Sequence, residues 1–212
     1  MYLEIENFTK IIDGQKVLKD ITISMNKGMI YRIKGKNGSG KTMLLRGISG
    51  LIKPTKGRVI VDGDVLGVDI SFPKSIGILI EQAGFIPSIS GYDNLKMLGD
   101  IKGLVGKDEI EQTMEDVGLE RSTFKKKYKA YSLGMKQKLG IAAAIMEKPD
   151  LILLDEPTNA LDKESVNKVV ALLQKEKERG ALIIITSHDL EELNDLSDKI
   201  FIMEAGRIKE SI

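Results

Sequence analysis

The sequence predicts an α/β fold with a mainly parallel sheet, an antiparallel β portion near the N-terminus and an inserted helical subdomain. Three observations support this prediction. Strand-like patterns dominate residues 1–80, helical patterns dominate the middle, and strands alternate with helices after about residue 149. Such alternation favours a parallel sheet that is covered by helices on both faces. A chain of 212 residues can bury one sizeable core of this kind.

Short strands and one helix are predicted for the first part of the chain. A continuous apolar run over 76–80 is typical of a strand that is buried on both faces, and Asp62-Gly63 indicates a hairpin turn. The predicted elements are strands around Leu3, Ile5 and Phe8 and around Ile21, Ile23 and Met25, strands over 29–34, 57–61 and 76–80, and a helix over 41–50.

Helices are predicted for the middle of the chain, and the strand–helix alternation returns after Pro149. Ser90 is a candidate N-cap, while Gly118 and Gly180 are candidate helix ends. The predicted helices cover 91–102, 107–117, 132–148 and 163–179, the later strands cover 151–154 and 181–186, and a last hairpin turns at 204–206. We expect one domain, 1–212, with a core of 1–80 and 149–212 and a helical subdomain of 81–148.

Composition excludes several classes of protein. The absence of cysteine excludes a disulfide scaffold and a thiolate metal site, and a formal net charge of +1 gives no electrostatic footprint for nucleic acid. The N-terminus lacks the pattern of a signal peptide. The longest apolar runs, 141–146 and 181–185, are far shorter than the ~20 residues that span a bilayer. We expect no nucleic-acid partner and no direct membrane insertion, so a partner would supply any membrane-spanning part.

A glycine-rich loop lies between the third predicted strand and the first predicted helix. It consists of Gly35, Lys36, Asn37, Gly38, Ser39, Gly40, Lys41 and Thr42. Its glycines let successive N–H groups point inward as an anion-binding nest, and the helix adds the positive end of its dipole. Lys41 would reach the β- and γ-phosphates of ATP, and the Thr42 hydroxyl would bind Mg²⁺. The strand before and the helix after argue against a chance match, so the sequence predicts a P-loop NTPase of the RecA-like class.

Two acids follow the buried strand that is predicted over 151–154. Because ligand sites lie beyond the carboxyl ends of parallel strands, Asp155 and Glu156 can meet the phosphate loop there. Asp155 would hold Mg²⁺, directly or through water. Glu156 would orient or deprotonate the attacking water, with Lys41 as a further catalytic group. Alone, the acidic pair would equally suit a cap of the next segment, but the phosphate loop favours the functional interpretation.

These motifs resemble the ATP-binding domain of ABC transporters, in one order from Tyr2 to Ile208. After Pro157 and Thr158, the residues Asn159, Ala160, Leu161 and Asp162 look like the D-loop of that family. His188, the only histidine, follows a buried strand and matches the switch histidine, which contacts the γ-phosphate in the family. The resemblance implies an ATP hydrolase in which His188 is a third catalytic residue beside Lys41 and Glu156.

The segment 131–137 occupies the position of the family signature. Leu133 and Met135 depart from the usual Leu-Ser-Gly-Gly-Gln pattern, whereas Ser132 keeps a hydroxyl and Gly134 a close-approaching N–H at a helix N-terminus. On its own, the stretch would indicate only an N-capped amphipathic helix. The resemblance implies that Ser132 and Gly134 meet the ATP of a second subunit in a head-to-tail dimer. That subunit is a second copy of the chain or a paralogous ATPase.

Further contacts to ATP and Mg²⁺ follow from the resemblance. Ile12 stands where the family usually stacks an aromatic residue on adenine, and it would pack on the base without π-stacking. Val17 and Met43 complete the ATP-binding set. Glu81 stands where the family has a glutamine, and it would touch Mg²⁺ or its waters. The alternative for Glu81 is an exposed loop acid.

Glu81 and the segment 132–135 look like the bacitracin-type, or ABC-2, branch of exporters. This likeness implies an ATPase subunit on the cytoplasmic face of the plasma membrane. It would dock on a separate permease that exports a drug, peptide or lipid. One alternative is a non-transport ABC ATPase of DNA repair, translation or cofactor assembly. Another is a nucleotide-binding regulator without turnover, which Glu156 and His188 disfavour.

Two weaker signals each have two interpretations. Phe85 and Tyr92 belong to an apolar stretch that in the family forms part of the permease groove, but such a stretch also suits packing within the helical subdomain. The basic run over 125–129 is either a solvated loop or a surface that attracts nucleotide phosphate across the dimer.

Overall fold

The structure of the chain is a computed structural model that describes residues 1–81, 83–187 and 195–211. Its strands are β1 Leu3–Ile12, β2 Gln15–Met25, β3 Met29–Lys34, β4 Lys56–Val61, β5 Asp64–Val65, β6 Ile76–Leu79, β7 Leu151–Asp155, β8 Leu182–Ser187, β9 Lys199–Glu204 and β10 Arg207–Ser211. Its α-helices are α1 Lys41–Ile48, α2 Gly91–Lys102, α3 Lys107–Asp116, α4 Leu133–Ile145 and α5 Lys163–Glu178. Two short 3₁₀ turns cover Arg121–Thr123 and Tyr128–Ala130.

The larger sheet has six strands in the order β10-β9-β3-β8-β7-β6. Every adjacent pair from β9 to β6 is parallel, and β10 joins β9 as an antiparallel hairpin. The predicted mainly parallel sheet is therefore confirmed. Successive side chains of β7 point into different cores. Leu151 and Leu153 belong to one apolar cluster, and Ile152 and Leu154 belong to the other. This explains why residues 151–154 of β7 are all apolar, because each face of the strand meets its own packed layer.

The smaller sheet has the order β2-β1-β4-β5 and is antiparallel throughout. It confirms the predicted antiparallel portion, but the expectation of short first strands was wrong. β1 has 10 residues and β2 has 11, and the tight turn Asp13-Gly14 joins them. Both turn residues have positive φ, 48° and 77°, as a two-residue hairpin connection requires. The Asp-Gly pair was the available signal for this hairpin.

The strand at one edge of the larger sheet corrects a second expectation. β6 is the last strand in the sheet order, and the side chain of Ile78 is 40% exposed. The prediction that 76–80 is buried on both faces was therefore wrong for Ile78. A short apolar run does not distinguish an edge strand from a central one, because that position depends on the strands that pair elsewhere in the chain.

The helices follow the predicted order; α2 has the predicted bounds, and the other four are shorter than predicted. Ser90 caps α2 by accepting a hydrogen bond from the N–H of Asp93, and Gly118 and Gly180 follow α3 and α5 at φ 82° and 100°. The helix predicted over 132–148 is α4, for which Ser132 is the N-cap. α2, α3 and α4 share one apolar cluster with one face of the larger sheet. The division into a core and a helical subdomain at 81–148 stays a prediction.

The carboxyl ends of three neighbouring strands meet where the candidate residues lie. β3 leads into the phosphate loop, and its last residue Lys34 pairs with Ser187 at the end of β8. Asp155, the last residue of β7, pairs with Thr186 of β8. β8 therefore lies between the phosphate loop and the acidic pair, and it aligns them at one edge of the sheet.

Candidate functional site

The phosphate loop is packed tightly against the end of β9. A Cβ at Gly35 would lie 2.3 Å from the carbonyl oxygen of Met203 and 2.7 Å from Ser39 Oγ, so only glycine fits at this position. Gly40, just before α1, has φ 107°, a conformation that side chains rarely adopt. The local shape of the loop therefore depends on glycines at both of its ends.

The N-terminus of α1 carries an excess of positive charge. It has no side-chain cap and no acidic residue in its first turn, and the side chain of Lys41 is only 5% exposed there. A cation at the positive end of a helix dipole is unfavourable unless an anion balances it. The Lys41 ammonium donates to the carbonyl oxygens of Gly35 at 2.7 Å and Lys36 at 3.3 Å.

Ser39 places a buried polar atom in the phosphate loop. Its Oγ is buried and has no hydrogen-bond partner among the described residues. Buried hydroxyl groups are normally hydrogen-bonded, so an unpaired one in an anion-binding loop fits a ligand oxygen. Together with the charge at α1, this donor set fits the phosphates of a nucleotide.

Thr42 and Asp155 form the bridge between the loop and β7. The Thr42 hydroxyl donates to Asp155 Oδ2 at 2.7 Å, and the hydroxyl of the fully buried Thr186 donates to the other carboxylate oxygen. These oxygen atoms are ligands that Mg²⁺ prefers, and Mg²⁺ commonly uses one or two carboxylates together with substrate phosphates. The described residues contain no group of three acidic, histidine or cysteine side chains that could hold a metal alone. The oxygen pair therefore fits Mg²⁺ that is bound together with a nucleotide.

Glu156 follows at once and points toward the loop. Its Oε1 lies 3.6 Å from Lys41 Nζ, and its Oε2 accepts a hydrogen bond from Asn159 Nδ2 at 2.6 Å. Its backbone N–H donates to both the carbonyl oxygen and the hydroxyl of Thr186. The side chain is 24% exposed. The carboxylate is therefore held in place and remains accessible to water.

The loop that begins at Glu156 ends in a helix cap. Asp162 Oδ1 accepts a hydrogen bond from the N–H of Ser165 at 2.8 Å and starts α5. This backbone hydrogen bond lowers the pKa of the Asp162 carboxyl, because it favours the charged form. The segment from Glu156 to Asp162, which contains the D-loop candidate, is thus anchored by β8 at its start and by α5 at its end.

A cavity of about 410 Å³ lies over the phosphate loop and includes Glu156. Val17 and Met43 line it, as the resemblance implied, whereas Ile12 and Glu81 are not among the described residues that line it. The sequence reasoning missed five lining residues, which are Gln15, Lys16, Lys19, Ala205 and Gly206. They come from β2 and from the hairpin between β9 and β10, and only the fold brings them to the loop.

Glu81 is engaged elsewhere. Its carboxylate is 60% exposed and accepts a hydrogen bond from Arg46 at 2.8 Å, and its backbone has φ 59°. These contacts fit the interpretation as an exposed loop acid. Its role in metal binding stays a prediction.

The signature residues lie at the start of α4. Ser132 is exposed, and its Oγ accepts a hydrogen bond from the N–H of Met135 at 3.2 Å. Gly134 is in the first turn, and neither residue lines the 410 Å³ cavity. The chain therefore does not bring them to its own phosphate loop. His188 lies outside the described residues.

The two weaker signals are also placed. Phe85 packs edge-on against Tyr128, with ring centroids 5.2 Å apart, and it adjoins the same apolar cluster as Tyr92. This contact fits packing within the helical region, and a part for Phe85 and Tyr92 in a permease groove stays a prediction. In the basic run, Lys125, Lys126 and Lys127 are exposed, as in a solvated loop.

Comparison with known proteins identifies the family. Residues 18–159 match the ABC transporter family. The chain is 48% identical over 209 residues to the ABC transporter ATP-binding protein YybJ of Bacillus subtilis (strain 168), and the match covers 99% of this chain and 95% of that protein. The chain belongs to the ABC transporter family of ATP-binding proteins.

Two further comparisons describe its place in the family. The chain is 39% identical over 212 residues to BcrA of Enterococcus faecalis, a bacitracin transport ATP-binding protein. That match covers 99% of this chain and 68% of BcrA. A solved dimeric ATP-binding cassette in a post-hydrolysis state, bound to ADP and Pi, matches with a TM-score of 0.88 and 25% identity. That match covers 99% of this chain and 97% of the cassette.

These findings confirm four predictions for this ABC protein. The family, its bacitracin-type branch, the P-loop NTPase fold and the class of ATP hydrolase all agree with the sequence interpretation. The non-transport alternative receives no support from the relatives. The individual roles of the site residues are taken up as proposals below.

Proposed function

We propose that this chain is the ATP-hydrolysing subunit of an exporter and powers a separate permease for a drug, a peptide or a lipid. The observation that carries the proposal is the contact of Thr42 with Asp155, which joins the phosphate loop to β7 with Glu156 beside Lys41. The likeness to a bacitracin transport protein supports export over other uses of ATP.

Each residue of the site has a distinct role in hydrolysis. The phosphate loop and α1 bind the triphosphate, and Lys41 neutralises charge on its β- and γ-phosphates. Thr42 and Asp155 would hold Mg²⁺, which would supply positive charge against the phosphates. Glu156 orients the attacking water from its position 3.6 Å from Lys41. His188 completes the catalytic set.

A second ATPase subunit completes each site. The nucleotide cavity is built from one chain, but Ser132 and Gly134 lie outside it. Leu133 between them is 65% exposed, which is unusual for a leucine and suits a surface that another subunit covers. Two subunits arranged head to tail would place Ser132 and Gly134 of each on the ATP of the other. The dimeric cassette among the similar structures supports this arrangement.

The permease supplies the membrane part of the transporter. In the described part of the chain, no helix is long and apolar enough to cross a bilayer. α2 presents an apolar stripe whose members are Met97, Leu98 and Ile101, and Leu104 follows just after the helix ends; their exposures lie between 39% and 76%. We assign this stripe to contact with the permease at the cytoplasmic face of the membrane.

Purification from detergent-solubilised membranes tests the proposal. The tagged wild-type chain should bring down an integral membrane protein, and Ile101→Asp should lose it while ATP binding persists. Val68→Asp is the matched control, because Val68 is 79% exposed but follows β5 in the chain and is not part of α2. Recovery of ribosomal or DNA-repair proteins in place of a membrane protein would contradict an exporter. Equal loss in both variants would contradict the assignment of the stripe.

A further inference from the structure

The loop after β7 holds an uncommon backbone conformation. Glu156 has φ 48° and Ala160 has φ 63°, both in the left-handed region. That region is unfavourable for residues with a Cβ, and it persists only where surrounding contacts fix it. The contacts that fix this segment also set the position of Glu156, the residue that would orient water.

α4 contacts both left-handed residues. Gln137 Nε2 donates a hydrogen bond to the carbonyl oxygen of Glu156 at 3.1 Å. One turn earlier, Gly134 lies so close that a Cβ on it would be 2.9 Å from the carbonyl oxygen of Ala160. Residues three apart lie on the same face of a helix. One face of α4 therefore reaches both Glu156 and Ala160.

The backbone of Glu156 is thus held by two different elements. Thr186 of β8 accepts the hydrogen bond of its N–H, and Gln137 of α4 donates to its carbonyl oxygen. The carboxylate beside Lys41 therefore extends from a backbone that β8 and α4 hold from two sides.

We propose that Gln137 is a positioning residue for ATP hydrolysis and acts through Glu156. The amide of Gln137 fixes the Glu156 backbone, so that the carboxylate stays on the water that attacks ATP. Since Ser132 and Gly134 begin the same helix, contact of that end with the partner's ATP is relayed through Gln137 to the chain's own Glu156. This inference rests on the proposed function of Glu156 and of the dimer.

The first test replaces the donor and keeps the shape of the side chain. Gln137→Met has similar length and helix propensity but no N–H. We expect kcat for ATP to fall roughly tenfold or more, because small displacements of a catalytic group are costly, while KM and the ATP Kd stay within about twofold. The matched control is Gln112→Met on α3, whose amide donates to Asp116 on its own helix and to no other described residue. It should keep wild-type kcat.

The second test is a double-mutant cycle with Glu156→Gln. If Gln137 acts only through the Glu156 carboxylate, Gln137→Met should not lower the residual turnover of Glu156→Gln any further. If the double variant loses turnover by the product of the two single-variant factors, the proposal is overturned. Gln137→Glu keeps the shape, but its carboxylate oxygen cannot donate a hydrogen bond to the carbonyl oxygen of Glu156. Its kcat should therefore be at least as low as that of Gln137→Met.

Failures of the inference and of the proposed function have different signatures. An active wild type whose Gln137→Met variant keeps full kcat would overturn the inference alone. A shared loss of thermal stability and ATP binding in Gln137→Met and Gln137→Glu would also overturn it, because it would show a purely structural role. A wild type without ATPase activity, or a fully active Glu156→Gln, would instead overturn the proposed function.

Discussion

The N-termini of α1 and α4 differ in their caps and in the side chains around them. α1 begins without a side-chain cap, with the nearly buried Lys41 at its positive end and Asp155 and Glu156 close by. α4 begins with Ser132 as its own cap and with Leu133 exposed to solvent. At the first end a buried cation and uncapped N–H groups lie beside two carboxylates, whereas at the second end Ser132 accepts one N–H, that of Met135, and Leu133 is exposed.

This difference shows how one chain can carry two unlike half-sites. Strand ends of the larger sheet converge on α1, so its site takes residues from widely separated parts of the chain. No residue of α4 lines that cavity, so its exposed end acquires a role in ATP hydrolysis only through a second subunit, as we propose. Four predictions test this comparison.

The largest effect should come from the charge at α1. Lys41→Ala removes the cation that balances the phosphates, so ATP affinity should fall by roughly a hundredfold or more, as for loss of one partner of a buried charge pair. Equilibrium binding of fluorescent ATP measures this loss. Lys129→Ala, in the solvated basic run, should bind as the wild type does. Wild-type turnover in Lys41→Ala would remove the phosphate loop from the site.

Loss of the carboxylate should separate binding from hydrolysis. Glu156→Gln should bind ATP, form a longer-lived dimer and hydrolyse about a hundredfold more slowly or worse, in the range for loss of a general base. Phosphate release and size-exclusion chromatography with ATP report the two properties. Glu164→Gln, an exposed acid of α5 that pairs with Lys168, is the control and should hydrolyse normally. Unchanged hydrolysis by Glu156→Gln would exclude it as the residue that orients water.

The two serine caps sharpen the comparison most directly. Ser132→Ala and Ser90→Ala each remove a hydroxyl that accepts an N–H at a helix start, so each should lower the free energy of unfolding by about 1 kcal/mol. Only Ser132→Ala should also lower the ATPase rate, by several-fold, because only Ser132 would meet the partner's ATP. Thermal unfolding and steady-state ATPase assays measure both quantities. An equal ATPase rate in the two variants would confine Ser132 to its role as a cap.

The smallest effect concerns the adenine end of the cavity. Val17 lines the cavity and Ile12 does not, so Val17→Ala should weaken ATP binding a few-fold through lost apolar contact, and Ile12→Ala by less than about twofold. Titration with ATP and GTP compares both variants with the wild type. The reverse order would restore Ile12 as the residue that packs on the base.

Local patterns predicted the parts of the site that lie next to each other in sequence. The phosphate loop from Gly35 to Thr42 needs only its own glycines, its lysine and the helix that follows. Asp155 and Glu156 stand at the end of a buried strand, and the phosphate loop in the same chain favoured their functional interpretation. The turn Asp13-Gly14 was also readable but was missed. The edge position of Ile78 was not readable, because pairing with distant strands decides it.

The sequence by itself therefore determined the fold class, the phosphate loop and the acidic pair, since short-range backbone and charge requirements encode them. The tertiary structure alone decided that Thr42 meets Asp155 across 113 residues, that Thr186 holds both acids and that Glu81 pairs with Arg46. It also placed Gln137 on the Glu156 backbone. Such contacts depend on how strands and helices pack in three dimensions, and no local spacing of residues specifies that packing.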